Sequence, residues 1–367
     1  MQTGQNPQLS IVVPALNEAD ELPFLFATLG NQSGINFELI LCDGGSTDNT
    51  LQLAEQLAQG WKFPVRCLRT GGGRGCQMNA GAAMARGDIL LFLHADSRLF
   101  EQDAIANAVQ AFEKERAETG ASVAGRLGLC FRRQTRAPSL AYRFYEAKTR
   151  LNRADCIRGD QGFMISRHFF NALGRFDESL PFLEDVRLAL AIGEQACWVL
   201  LPAEISTSAR RFETEGLYER QVVNAIIANA LTCGWTELLT RLPGLYRRNV
   251  ESGRLQLHPL LNSVRSLLAR HPLRWRATFW YATGRHIAAN IWQLFFWLDV
   301  RSGFKAGLPP ETPPRRWSEF FSRHLEPLAH SIPLAVMTTL AAWLWFRLLL
   351  VTSRRKARLI TETTRTD

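Results

Sequence analysis

The residues best equipped for chemistry stand in four short clusters, each following an apolar run. Pro14-Ala15-Leu16-Asn17-Glu18 combines a proline that stops a strand ladder with an amide and a carboxylate, and by itself reads equally as a strand exit that caps a helix. Asp43-Gly44-Gly45-Ser46-Thr47-Asp48 sets a carboxylate before two glycines and a helix start. Asp43 can accept hydrogen bonds from a base or ribose, while amides at the helix start favour anionic groups. Gly71-Gly72-Gly73-Arg74-Gly75-Cys76-Gln77-Met78-Asn79 is a glycine loop carrying one fixed positive charge. Arg74 suits a phosphate, yet no Lys-Ser or Lys-Thr follows the glycines, which excludes a P-loop. In His94-Ala95-Asp96 a carboxylate leaves a strand where it can hold a divalent cation against diphosphate oxygens; alone, Asp96 reads equally as a cap on the next turn.

These clusters need elements to carry them. Leu9 to Val13, Phe37 to Cys42, Val65 to Leu68 and Ile89 to Leu93 read as buried parallel strands. Helical patterns at Glu18 to Leu29, Asp48 to Ala58 and Gly75 to Ala85 alternate with them, which predicts a doubly wound α/β sheet. Ligands of such sheets bind beyond the carboxyl ends of the strands, where all four clusters fall. Farther on, strands are expected at Val123 to Phe131 and Gly162 to Ser166. Helices are expected at Leu140 to Leu151, Asp185 to Ile192 and Leu217 to Leu231.

As an ordered set, the four clusters resemble the family 2 glycosyltransferases with a GT-A fold. The resemblance continues through Gly159-Asp160-Gln161-Gly162, Phe182-Leu183-Glu184-Asp185 and Ser208-Ala209-Arg210-Arg211, and covers roughly residues 9 to 250. It implies a GT-A domain over residues 1–250 with a mixed, mainly parallel sheet. It further implies that Pro14, Asn17, Glu18 and Asp43 hold the nucleoside, that Arg74 and Asn79 approach base or phosphate, and that Arg210 and Arg211 neutralise diphosphate. Asp96 would bind Mg²⁺ or Mn²⁺. Asp185 would be the general base for an inverting transfer, with Glu184 beside it and Gly159, Asp160 and Gln161 on the acceptor side. Many relatives carry Asp-x-Asp where this chain has His94-Ala95-Asp96, so three readings of His94 stay open: it replaces a metal ligand, contacts the donor, or is a hydrogen-bonded structural histidine.

Composition bounds the partners. Lys and Arg number 43 against 34 Asp and Glu, a net charge of +9. Much of that excess follows Arg241, beside apolar and tryptophan-rich stretches, which favours a membrane surface over nucleic acid. Residues 251–367 are therefore expected to form a helical membrane-associated extension. Phe279 to Leu298 is expected as one interfacial helix and Ile332 to Val351 as a transmembrane helix, since roughly 20 apolar residues cross a bilayer. A single crossing would place Arg354, Arg355, Lys356 and Arg358 outside, against the positive-inside tendency; a hairpin or a surface-lying helix would not. The seven cysteines stand singly, without a CxxC pair, as in a reduced compartment. Met1 to Gln8 lacks the basic and apolar regions of a signal peptide. The expected location is the inner (cytoplasmic) membrane with the catalytic domain facing the cytoplasm, and the acceptor a lipid or polyprenyl-linked molecule. Two other functions fit parts of the pattern: a sugar nucleotidyltransferase, whose glycine loop should follow the first strand, and a noncatalytic membrane scaffold.

Overall fold

The computed structural model describes residues 6–120, 122–250 and 253–363, without the side chains of 247–250 and 357–363. Residue 251, where the extension was expected to begin, and the side chains of Arg247, Arg248 and Arg358 lie outside the described residues. The chain divides into two compact units, Met1–Ser208 and Ala209–Asp367.

The first unit is built on β1 (Leu9–Ala15), β2 (Phe37–Asp43), β3 (Val65–Arg69) and β4 (Ile89–Phe92), followed by β5 (Arg98–Leu99), β6 (Val123–Arg132), β7 (Phe163–Ser166) and β8 (Cys197–Ser208). They form one eight-stranded sheet in the order β3-β2-β1-β4-β7-β6-β8-β5. β1 to β4 pair in parallel, β7 joins antiparallel to β4 and β6, and β6 pairs in parallel with β8. The sheet is thus mixed and mainly parallel, in GT-A fashion.

Alternation along each strand sends side chains to two apolar layers. Ile11, Val13, Leu39, Leu41 and Leu91 meet α1 (Leu22–Gly30), α2 (Thr50–Ala58) and α4 (Ala104–Thr119) on one face. Val12, Ile40, Leu90 and Phe92 meet α3 (Arg74–Met84), α6 (Arg167–Ala172) and α7 (Glu184–Gln195) on the other. Pro23 at the first turn of α1 sets that start four residues later than Glu18. Asp48, an expected capping residue, accepts from the Thr50 amide at 3.0 Å ahead of α2.

Pro14 does not end β1. The strand stays paired with β2 through Ala15, while its pairing with β4 stops at Val12. Successive residues of a parallel strand address alternate neighbours, so the missing Pro14 N–H falls on the β4 side, beyond the end of that strand. In the first unit β5, α4, α6 and β8 were outside the expected set. α4 closes on Gly120 in the left-handed region, φ 60°, and β8 runs through Pro202 with its outer pairing limited to β5.

The second unit is helical: α8 (Arg210–Glu215), α9 (Leu217–Thr232), α10 (Thr236–Val250), α11 (Leu257–Arg270), α12 (Leu273–Ala289), α13 (Trp292–Lys305), α14 (Arg316–His324) and α15 (Ile332–Thr363), with α5 (Leu140–Lys148) belonging to the first unit. The single interfacial helix expected over 279–298 is two helices. Asn290 caps α12 at φ −101°, its amide donating to the His286 carbonyl at 3.0 Å and accepting from Gln293 at 2.8 Å. Local bonding of this kind competes with helix continuation.

Gly81 of α3 crosses β1 and β2 so closely that a Cβ there would lie 2.4 Å from Val12 Cγ1 and 2.8 Å from Cys42 Sγ. Gly81→Ala is expected to lower unfolding free energy by about 1–3 kcal/mol in a denaturant titration, through overpacking.

Candidate active site

The parallel strands end in loops whose polar side chains hold one another. Gln77, on the first turns of α3, donates Nε2 hydrogen bonds to the carbonyls of Ala15 at 2.7 Å and Cys42 at 2.9 Å. It thereby closes the carboxyl ends of β1 and β2. A Cβ at Gly44 would stand 2.6 Å from Gln77 Nε2, so the approach requires glycine. Asn17, at φ 55°, receives the Thr47 amide on Oδ1 at 2.8 Å, and its own amide donates to Ser46 Oγ at 2.8 Å. The Glu18 amide donates to Thr50 Oγ1 at 2.8 Å.

Asp43 is fully buried, and its Oδ2 accepts from the amides of Gly45 and Ser46, each at 3.1 Å. Asn17 and Asp43, expected to hold the nucleoside, also build these loops, because nearby amides with no ladder partner bond to their side-chain oxygens. Asn79 is tied in the same way. Its amide donates to the Phe176 carbonyl at 2.9 Å and to Glu178 Oε1 at 2.8 Å, while its carbonyl accepts from the Phe176 amide at 3.1 Å. It is buried and clamps the 176–178 loop. Gln161, expected on the acceptor side, is also fully buried and donates to the Cys156 carbonyl at 2.7 Å.

Other expected residues do converge. Arg74, His94, Gly159 and Asp185 line one cleft, together with Met78, Phe92, Phe163 and Phe176. Arg74 opens α3; Glu184 and Asp185 open α7 after Leu183, which takes a left-handed φ of 69°. Asp185 Oδ2 accepts from the Gly159 amide at 2.8 Å. A Cβ on Gly159 would come within 2.9 Å of Asp185 Cβ, so only glycine presents its amide here. Glu184 is buried, with Oε1 3.7 Å from Arg74 Nη1. Burial pushes its carboxyl above the usual glutamate range, with Arg74 opposing and Asp185 adding to the shift.

Asp160 follows Gly159 into the same acidic neighbourhood. Its Oδ1 is out of solvent contact and accepts no hydrogen bond. Burial first, then Asp185 and Asp96, raise its carboxyl from 3.8 to about 6, against the opposing charges of Arg158 and Arg74. Asp96 is fixed by β8: Oδ2 accepts from Thr207 Oγ1 and the Ser208 amide, both at 2.9 Å. Arg132 Nη1 donates to the Asp96 carbonyl at 2.8 Å. Among the described residues no three His, Cys, Asp or Glu side chains converge as a metal cage. One oriented carboxylate still fits Mg²⁺ or Mn²⁺, which takes few protein ligands and fills its shell with phosphate oxygens and water. Arg210 and Arg211 open α8 in the second unit.

Residues 10–175 match the profile of Glycosyl transferase family 2. This places the first unit in glycosyl transferase family 2. Among curated relatives, the chain is 42% identical over 107 residues to a PGL/p-HBAD biosynthesis glycosyltransferase of Mycobacterium bovis (strain BCG / Pasteur 1173P2), covering 29% of this chain and 41% of that protein. It is 30% identical over 92 residues to a dolichol-phosphate mannosyltransferase of Pyrococcus furiosus, covering 24% and 26% of the two chains. The matches thus span 41% or less of the length of these two relatives. Among solved structures, the mannosyltransferase PcManGT from Pyrobaculum calidifontis, in complex with GDP-Man and Mn²⁺, overlays at TM-score 0.46 and 16% identity, over 95% of this chain and 88% of that one.

Within the family 2 unit, sequence reasoning missed Gln77 as the bridge between β1 and β2, and Thr207 and Ser208 as the partners of Asp96. Gln77 was visible inside the glycine loop; nothing in its neighbours announces two carbonyls from other strands. The Asp160 carboxyl gives a test of the acidic cluster. With a folded-state value above the ordinary one, its stabilising contribution is complete below pH 3.8 and is lost as pH rises through about 6. Asp160→Asn is expected to be more stable than the parent by about 1–3 kcal/mol at pH 8, the gap closing by pH 4, as read from melting curves across that range.

Proposed function

We propose that this protein transfers a sugar from a nucleotide-sugar donor to an acceptor hydroxyl with inversion at the anomeric carbon. The observation that carries this reading is the cleft in which Asp185, held by the Gly159 amide, shares a wall with Arg74 and His94. Asp185 takes the hydroxyl proton as that oxygen bonds to the anomeric carbon, and the bond from that carbon to the diphosphate breaks. Charge growing on the departing diphosphate is met by the Arg74 guanidinium, which Glu184 orients from its buried position. Mg²⁺ or Mn²⁺ on Asp96 would supply further neutralisation of that leaving group when bound. His94 faces the donor side of the cleft in this reading.

The loops tied together by Asn17, Asp43 and Gln77 present backbone amides and carbonyls to the nucleoside, and the Glu18 side chain adds to that wall. The acceptor is proposed as a lipid-linked molecule presented at the cytoplasmic face of the inner membrane. That proposal is supported by the length and apolar composition of α15, whose residues Ile332–Lys356 are long and apolar enough to cross a bilayer.

A screen of UDP-, GDP- and dTDP-sugars is expected to yield one donor whose turnover falls by about 10³-fold or more in Asp185→Asn, with donor affinity little changed. Equal turnover by parent and variant removes Asp185 as base. Asp96→Ala is expected to abolish the metal dependence of donor binding in calorimetry while leaving the melting temperature within a few degrees.

A further inference from the structure

The helical unit carries an apolar surface that its own packing leaves open. One face of α15, formed by Ala335, Thr338, Ala342, Phe346 and Leu349, is buried. The opposite face presents Val336, Met337, Leu340, Leu344 and Leu348, with Met337 66%, Leu340 59% and Leu348 60% exposed. This stripe is roughly 18 Å long at 1.5 Å rise per residue, too large and continuous for a surface that meets only water.

α15 does not stand alone along that length. Gly284 of α12 packs so tightly on it that a Cβ would lie 2.0 Å from Thr339 Oγ1 and 2.5 Å from the Ala335 carbonyl. Thr338 Oγ1 donates to the Gly284 carbonyl at 2.7 Å, and the Trp280 and Phe346 rings are 5.8 Å apart. Gly284 therefore meets residues 335 to 339 while Trp280 meets 346, which makes the two helices antiparallel. The far end of α15 is tied back as well. Lys356 pairs with Glu219, in the first turn of α9, at 2.7 Å, and Ser353 Oγ lies 3.4 Å from His258 Nδ1 of α11.

These contacts oppose a crossing. If α15 spanned a bilayer, α12 would have to enter with it, carrying Arg274, Arg276, Arg285 and His286, of which Arg274 and Arg285 are exposed. Each arginine at that depth costs about 2.5–3.5 kcal/mol on insertion scales. Arg347 would enter too; it is exposed between Leu344 and Leu348, its guanidinium 5.3 Å from the Trp343 ring centre. A helix lying along the headgroup boundary meets neither cost: its apolar stripe faces the acyl chains, Arg347 reaches sideways to phosphate, and Trp343 and Trp345 sit where indole rings are favoured.

We propose that α15 does not cross the membrane but lies in the interfacial plane of an anionic phospholipid bilayer. Its stripe from Val336 to Leu348 is immersed, and Arg347, Arg354 and Arg355 face lipid phosphates on the same side as the rest of the chain. This placement replaces the transmembrane helix expected from sequence and removes the conflict with the positive-inside tendency. It is independent of the transferase reading, since its tests involve no turnover.

The test is the sidedness of epitope tags on the full-length chain in cell membranes: one before Met1, one inserted after Gly307 in the turn that follows α13, and one after Asp367. All three are expected on one side. A tag after Asp367 opposite the first means a single crossing, and a tag after Gly307 opposite both others means a spanning α12–α15 hairpin; either result overturns the proposal. In flotation with phosphatidylcholine vesicles containing phosphatidylglycerol, the exposed-site variant Leu340→Glu is expected to bind about tenfold less than the parent. Arg347→Glu is expected to lose a similar factor on these vesicles and little on phosphatidylcholine alone. Unchanged binding of both variants, with native circular dichroism, also overturns it.

Discussion

Everything at the first unit's site depends on how the open ends of parallel strands satisfy their backbone groups. Where β1 and β2 stop, carbonyls and amides lose their ladder partners in a region that is largely out of water. A buried group left in that state costs about 1–3 kcal/mol. Gln77 answers for two carbonyls with one amide group, Asp43 for two amides with one carboxylate oxygen, and Asn17 ties the two loops across the gap. These side chains hold the loops in the shape that a donor nucleotide would meet. The cost of that rigidity is visible in the left-handed Asn17 and in the glycine required at position 44.

The second layer of organisation is electrostatic. Asp96, Asp160 and the adjacent Glu184 and Asp185 approach one another from three separate chain segments, with Arg74 and Arg158 as the cations that bear on Asp160. Like charges gathered in a partly dry place are unfavourable, and the strain appears as raised carboxyl values on Asp160 and Glu184. Asp185 is placed differently, since the Gly159 amide donates to its Oδ2.

In the helical unit the governing contact is between backbones. Gly284 lets α12 approach α15 until a threonine hydroxyl bonds a main-chain carbonyl. This close seam binds a charged helix to an apolar one, and that union, more than the hydropathy of either, decides what the pair can do at a bilayer.

The sequence by itself determined the strand and helix alternation of the first unit. It also determined the position of the polar clusters at strand ends, and the identity of Arg74, Gly159 and Asp185 as neighbours of one cleft, because periodicity and ordered motifs are properties of local chain. Asn79 and Gln161 read as ligand contacts for the same reason; that they are buried and bonded to backbone groups was not legible there. An amide's use is set by which orphan backbone group lies within 3 Å, and those groups belong to residues far away in the chain. The company α15 keeps was likewise decided only by tertiary structure. Twenty apolar residues state a preference for lipid, but whether a helix crosses or lies flat depends on which charges are packed beside it.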